Sequence, residues 1–219
     1  MDSSVPYGFT LVELVIVMVI TGIVALIAPA LLFHGVKTMV FLPRAVAVNQ
    51  VAADIQHHIV EGGFSTLAGQ SVLRGLRFAV RRSVTEPALW LAEDDRIGFR
   101  ASDGQSVVIR WDASVVNQEV IWRSLTTPAC PPTMGTEEVL PYDAQAEWDV
   151  RVLRIAPATP VFRYYNQSGT QMAAPGCSLG GITTIRQMEI AFIAQTGNGV
   201  FDDGHARQAV TSSVAIRVP

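Results

Sequence analysis

Residues 9–33 read FTLVELVIVMVITGIVALIAPALLF, and this stretch decides how the rest of the chain is read. It is a run of about 25 almost wholly apolar residues, long enough to cross a bilayer as a helix. Glu13 is its one charge, and Thr10, Thr21, Gly22 and Pro29 are the other breaks of note. A secretory signal peptide has a shorter apolar core behind a basic segment, and here no Lys or Arg precedes the block. A plain membrane anchor fits the length but leaves the carboxylate unexplained. At a helix centre a carboxylate costs about 2.5–3.5 kcal/mol on insertion scales, and an intramembrane acid marks function by default.

The whole chain has 219 residues, 49% of them hydrophobic and only 16% charged, so it has ample apolar surface to bury and is not a disordered protein. A net charge of −3 argues against a nucleic-acid partner, which would call for a basic excess or a basic face. Two cysteines are too few for a disulfide scaffold.

Gly8-Phe9-Thr10-Leu11-Val12-Glu13-Leu14 resembles the cleavage and methylation motif of the type IV pilins and the pseudopilins of type II secretion. The resemblance implies that residues 1–8 are a leader. A membrane-embedded prepilin peptidase would cut between Gly8 and Phe9 and methylate the new amino group of Phe9. It also implies that Glu13 acts in assembly, pairing with the α-amine of a neighbouring subunit. The alternative role is a side chain that only snorkels to the headgroups. In this chain the leader has no basic residue, Tyr7 stands where the family carries Lys or Arg, and the first basic side chain is Lys37. Charge alone would orient the block with Lys37 inside, whereas the resemblance places the head outside the inner membrane, on a single-pass anchor. The family's helix-bending proline corresponds to Pro29, one residue early.

Beyond Phe33 the pattern predicts more helix. Val48, Val51, Ala52, Ile55 and Ile59 recur at three- and four-residue spacing, the mark of an amphipathic helix with its apolar stripe inward. Gly35 and Pro43 are places where it could bend, and Gly62-Gly63 is its stop. The expected organisation is therefore a leader (1–8), a membrane-spanning half-helix (9–33), an amphipathic half-helix (34–62) and a globular head (63–219). A second helix is expected over Ser71–Ser83, burying Val72, Leu76 and Val80 and showing Arg74, Arg77, Arg81 and Arg82 to solvent. From Arg96 strands dominate: 96–100, 106–112, 119–124, 149–155, 161–165, 185–193 and 210–218, about seven. Ser102-Asp103-Gly104 and Asn166-Gln167-Ser168-Gly169 read as turns. The fold class is α+β: a long N-terminal helix packed on an antiparallel β-sheet head, the pilin arrangement. The order of elements resembles the larger minor pilins and the J-type minor pseudopilin.

Cys130 and Cys177 lie in two Pro- and Gly-rich loops and are expected to bridge if the head is in an oxidising compartment. No catalytic or metal-binding set stands out. His34, His57, His58 and His205 have no nucleophile at motif spacing, and Glu93-Asp94-Asp95 reads as a solvated turn. The oxygen-rich loop 197–204 is a calcium candidate, though a plain hairpin is the simpler reading. The expectation is a non-enzymatic minor pilin or minor pseudopilin without cofactor, whose partners are prepilin peptidase, the membrane and other pilins. The alternative is a membrane-anchored extracytoplasmic binding protein.

Overall fold

The computed structural model describes residues 10–67, 69, 71–81, 83, 86–114, 119–140, 150–196 and 206–216. Helix α1 spans Leu11–Val60, 50 residues, with Pro29 and Pro43 inside it. The chain divides within α1 into two compact units, Met1–Pro43 and Arg44–Pro219.

In the second unit the predicted stripe is the inner face of the helix. Val48, Val51, Ala52, Ile55 and Ile59 are all buried. They join one cluster that also holds Phe99, Ile109 and Ile121 from one sheet and Phe162, Ile190 and Phe192 from another. The helix stops because Gly62 takes φ +94, where a β-carbon would lie 2.0 Å from the Leu73 carbonyl oxygen.

The Ser71–Ser83 helix does not form. Strands β1 (Gly62–Ser65) and β2 (Ser71–Arg74) make an antiparallel hairpin instead, followed by a 3-10 turn at Leu76–Phe78. Gly75 explains the outcome: it packs so closely on the end of α1 that a β-carbon there would sit 2.4 Å from the Gly62 nitrogen. Of the presumed apolar face, Leu76 is buried but Val72 is 63% exposed, because strand alternation and not helical periodicity governs it. The arginines therefore share no helix face. Arg74 stacks over the Phe78 ring and Arg77 pairs with Glu61.

Among the described residues the head has two five-stranded sheets besides the two-stranded β1–β2 hairpin. In the first, β3 (Leu89–Ala92), β4 (Arg96–Arg100), β5 (Ser106–Asp112), β6 (Val120–Leu125) and β7 (Glu137–Leu140) follow in order, all antiparallel. The second runs β10 (Gln171–Met172), β9 (Phe162–Tyr165), β11 (Gln187–Thr196), β12 (Arg207–Ala215), and β8 (Val150–Leu153) also pairs with β11. A short helix, α2 (Leu179–Ile182), precedes β11. Both predicted turns form, with Gly104 and Gly169 at positive φ. Asn166 holds its turn by accepting the Ser168 and Thr170 amides on Oδ1.

The acidic turn Glu93–Asp95 is not simply solvated; it ties the two sheets together. Tyr164 Oη donates to the Glu93 carbonyl at 2.8 Å and the Phe162 amide donates to the Asp94 carbonyl at 3.0 Å. Arg154 pairs with Asp95 and stacks over Trp111, whose indole N–H donates to the Val152 carbonyl. Burial, and then the three acids nearby, push the Tyr164 phenol well above its ordinary pKa, so it stays a neutral donor.

Candidate functional site: the amino-terminal helix and its cap

Thr10 and Glu13 form a reciprocal cap on α1. The Thr10 amide and hydroxyl donate to Glu13 Oε2 at 2.9 and 3.0 Å, and the Glu13 amide donates to Thr10 Oγ1 at 3.3 Å. This is a capping box, in which two of the orphan amides of a helix start are satisfied by side chains. The signal for it, Thr-x-x-Glu, stands in the sequence at 10–13. A carboxylate in the first turn also faces the positive end of the helix dipole.

From Leu14 to Phe33 the helix is almost wholly apolar, and among the described residues nothing covers its membrane-length window. Leu11 and Leu26 are each 80% exposed, and the apolar window that could span a membrane is 0% buried. A helix apolar all round needs lipid or other apolar helices against it. Polar groups return at the far end of this unit: Thr38 Oγ1 donates to the His34 carbonyl and Lys37 lies over the Phe33 ring.

Gly8 and Phe9, the expected cleavage and methylation residues, lie outside the described residues, as do the 197–204 loop, Arg82 and His205. Cys130 and Cys177 are bridged, with α-carbons 6.0 Å apart. His57 is exposed, while His58 is partly buried between the Asp54 carbonyl and Gly63; burial lowers its pKa. Among the described residues no group of His, Cys, Asp and Glu could hold a metal ion. One polar site had no signal in the sequence. Arg123, 2% exposed, pairs with Glu138 at 2.5 Å, and together they hold the backbone of the β1–β2 hairpin.

No curated protein and no solved structure matches the chain. Residues 7–29 match the family model described as the prokaryotic N-terminal methylation motif. The match contains the capped helix start and the uncovered apolar turns that follow it. The amino-terminal segment thus carries the prepilin methylation motif, which supports a likeness to the type IV pilins and pseudopilins.

Proposed function

We propose that this protein is a minor pilin or minor pseudopilin, a structural subunit of a type IV pilus or a type II secretion pseudopilus. The observation that carries the reading is an apolar helix, uncovered on all sides, that begins inside a prepilin methylation motif. Prepilin peptidase cleaves after Gly8 and methylates Phe9. Residues 9–33 then hold the subunit in the inner membrane, 34–62 carry the amphipathic half-helix, and 63–219 form the head. The head lies on the extracytoplasmic side, a placement supported by the Cys130–Cys177 bridge, since disulfides persist in oxidising compartments.

Assembly follows from exchanging one cover for another. In the bilayer the apolar turns are solvated by lipid; in a filament other pilin helices replace it. Glu13 supplies the electrostatic element. Its Oε2 is taken by Thr10, and Oε1 accepts no hydrogen bond among the described residues, so it is available to the α-amine of a neighbour's Phe9. Where water is scarce such a pair favours one register between subunits. The experiment is mass spectrometry of the protein extracted from membranes. The expected N-terminus is N-methyl-Phe9; an intact Met1 in cells with active prepilin peptidase overturns the reading, and leaves the anchored binding protein in its place.

A further inference from the structure

The segment joining β6 to β7 lies over a small apolar face of its own. Leu91, Gly98, Val108 and Ser124 stand side by side across four strands of the first sheet. Trp90, Leu91 and Val108 form a buried cluster separate from the main core, with Met134 and Cys177 packed against it. Gly98 makes room for the Trp90 ring, since a β-carbon there would lie 2.7 Å from it. The segment is residues 126–136, TTPACPPTMGT, and it lays Met134 on this face.

Few bonds hold this segment. The Thr126 amide donates to the Ser106 carbonyl at 3.0 Å, and Thr126 Oγ1 donates to the Thr133 carbonyl at 2.6 Å. Among the described residues, no amide from Thr127 to Thr136 has a protein acceptor. Three prolines in the segment supply no donor. Met134 and the disulfide tie it further, and Gly135 lies close on the Leu125 carbonyl. Cys177 is the fixed end: its neighbour Gly176 exchanges two backbone hydrogen bonds of 2.8 Å with Ala92, at the edge of β3. Cys130 is the exposed end. Among the described residues the Trp90 indole N–H is buried without a partner.

We propose that residues 126–136 are a redox-latched strap, closed by the Cys130–Cys177 bridge and released from the Trp90–Leu91–Val108 face by thiol–disulfide exchange at Cys130. The reductant is a dithiol. One of its thiolates attacks Cys130 Sγ, the sulfur–sulfur bond breaks, and Cys177 leaves as thiolate and takes a proton. The second thiolate of the reductant resolves the mixed disulfide, Cys130 leaves and is protonated, and the reductant ends as a disulfide. Two electrons and two protons pass from dithiol to protein. The strap then reports whether the head has been oxidised: open on a newly made chain, shut once the bridge forms.

The test is hydroxyl-radical footprinting of the full-length protein in detergent, read by mass spectrometry. It compares the oxidised protein, the protein reduced with dithiothreitol and alkylated, and the Cys130→Ser/Cys177→Ser variant. Labelling of Trp90 and Met134 should rise about threefold or more in both bridge-free forms, while Phe162 and Phe192 in the main core stay protected, the pattern of local opening. Unchanged Trp90 labelling in the double serine variant overturns the proposal, because packing alone would then close the strap. Equal rises at Trp90, Phe162 and Phe192 overturn it as well, because the bridge would then hold the whole head and not a strap.

Discussion

Replacing Glu138 with alanine should destabilise the head more than any surface change, because it strands a charge. Glu138 Oε1 accepts from Arg123 Nε at 2.7 Å, and Oε2 accepts the Thr66 amide and hydroxyl, both at 3.0 Å. Arg123 Nη2 donates in turn to the Phe64 carbonyl at 2.7 Å, and Nη1 already lacks a partner. Glu138→Ala therefore leaves a guanidinium 2% exposed with no counter-ion, and frees a loop amide besides. Removing one partner of a buried pair costs about 3–5 kcal/mol. For a unit of this size each kcal/mol moves Tm by about 2–4 °C, so a drop of about 6–20 °C is expected. Circular dichroism of the full chain in detergent reads it. Arg123→Met with Glu138→Gln removes the charge but keeps an acceptor for Thr66, and should recover at least half of the loss. A drop below about 2 °C, or a double variant as unstable as Glu138→Ala, would refute the reasoning.

The same site fixes a pH dependence. Burial alone would raise the Glu138 carboxyl pKa, but the Ser65 hydroxyl, the Arg123 charge and Thr66 outweigh it, and the folded value lies below the ordinary one. A group depressed on folding stabilises above its unfolded pKa, about 4.3 for Glu, and loses that contribution as pH falls through the folded value. Chemical-denaturation titrations should show wild type losing stability below about pH 4, with a shallower loss in Glu138→Ala. Ile55→Ala, at a fully buried position of the α1 stripe, should cost about 2–5 kcal/mol in denaturant midpoint analysis, and a near-neutral result would mean that the helix is not seated on the sheets. Gly98→Ala should cost about 1–3 kcal/mol by the same assay, since its methyl group displaces the Trp90 ring. Glu13→Gln should lower co-purification with sheared filaments by tenfold or more at equal membrane level, given the about 3–5 kcal/mol lost when one member of a water-poor pair is neutralised. Normal recovery would leave Glu13 a snorkelling side chain that also caps its helix.

The amino-terminal helix is legible in the sequence because each of its signals is local. Apolar length, a Thr-x-x-Glu start and a Gly-Gly stop act over one to a few turns and need no partner elsewhere in the chain. The buried stripe from Val48 to Ile59 is legible for the same reason: helical periodicity reports the wet and dry faces directly. The turns at Gly104 and Gly169 follow from residues that tolerate positive φ. Seven strands from Arg96 onward show by composition, but Glu137–Leu140 and Gln171–Met172 do not, and neither does Leu89–Ala92, where all four residues are buried and no alternation marks them. A four-residue spacing at Val72, Leu76 and Val80 mimics a helix and hides the hairpin at 62–74. Only the pairing of Phe64 with Val72 and of Gly63 with Leu73, contacts between separate runs, decides against it. Division of the strands between two sheets, the junction at Glu93–Asp95, and the meeting of Arg123 with Glu138 likewise join residues distant in sequence. No local pattern encodes such encounters; they are set by which surfaces the packed chain brings together. The amino-terminal sequence alone carries the prepilin methylation motif, because that motif is an extended local segment. The tertiary structure alone decided how the head is clamped and covered, because burial and charge compensation exist only after distant segments meet.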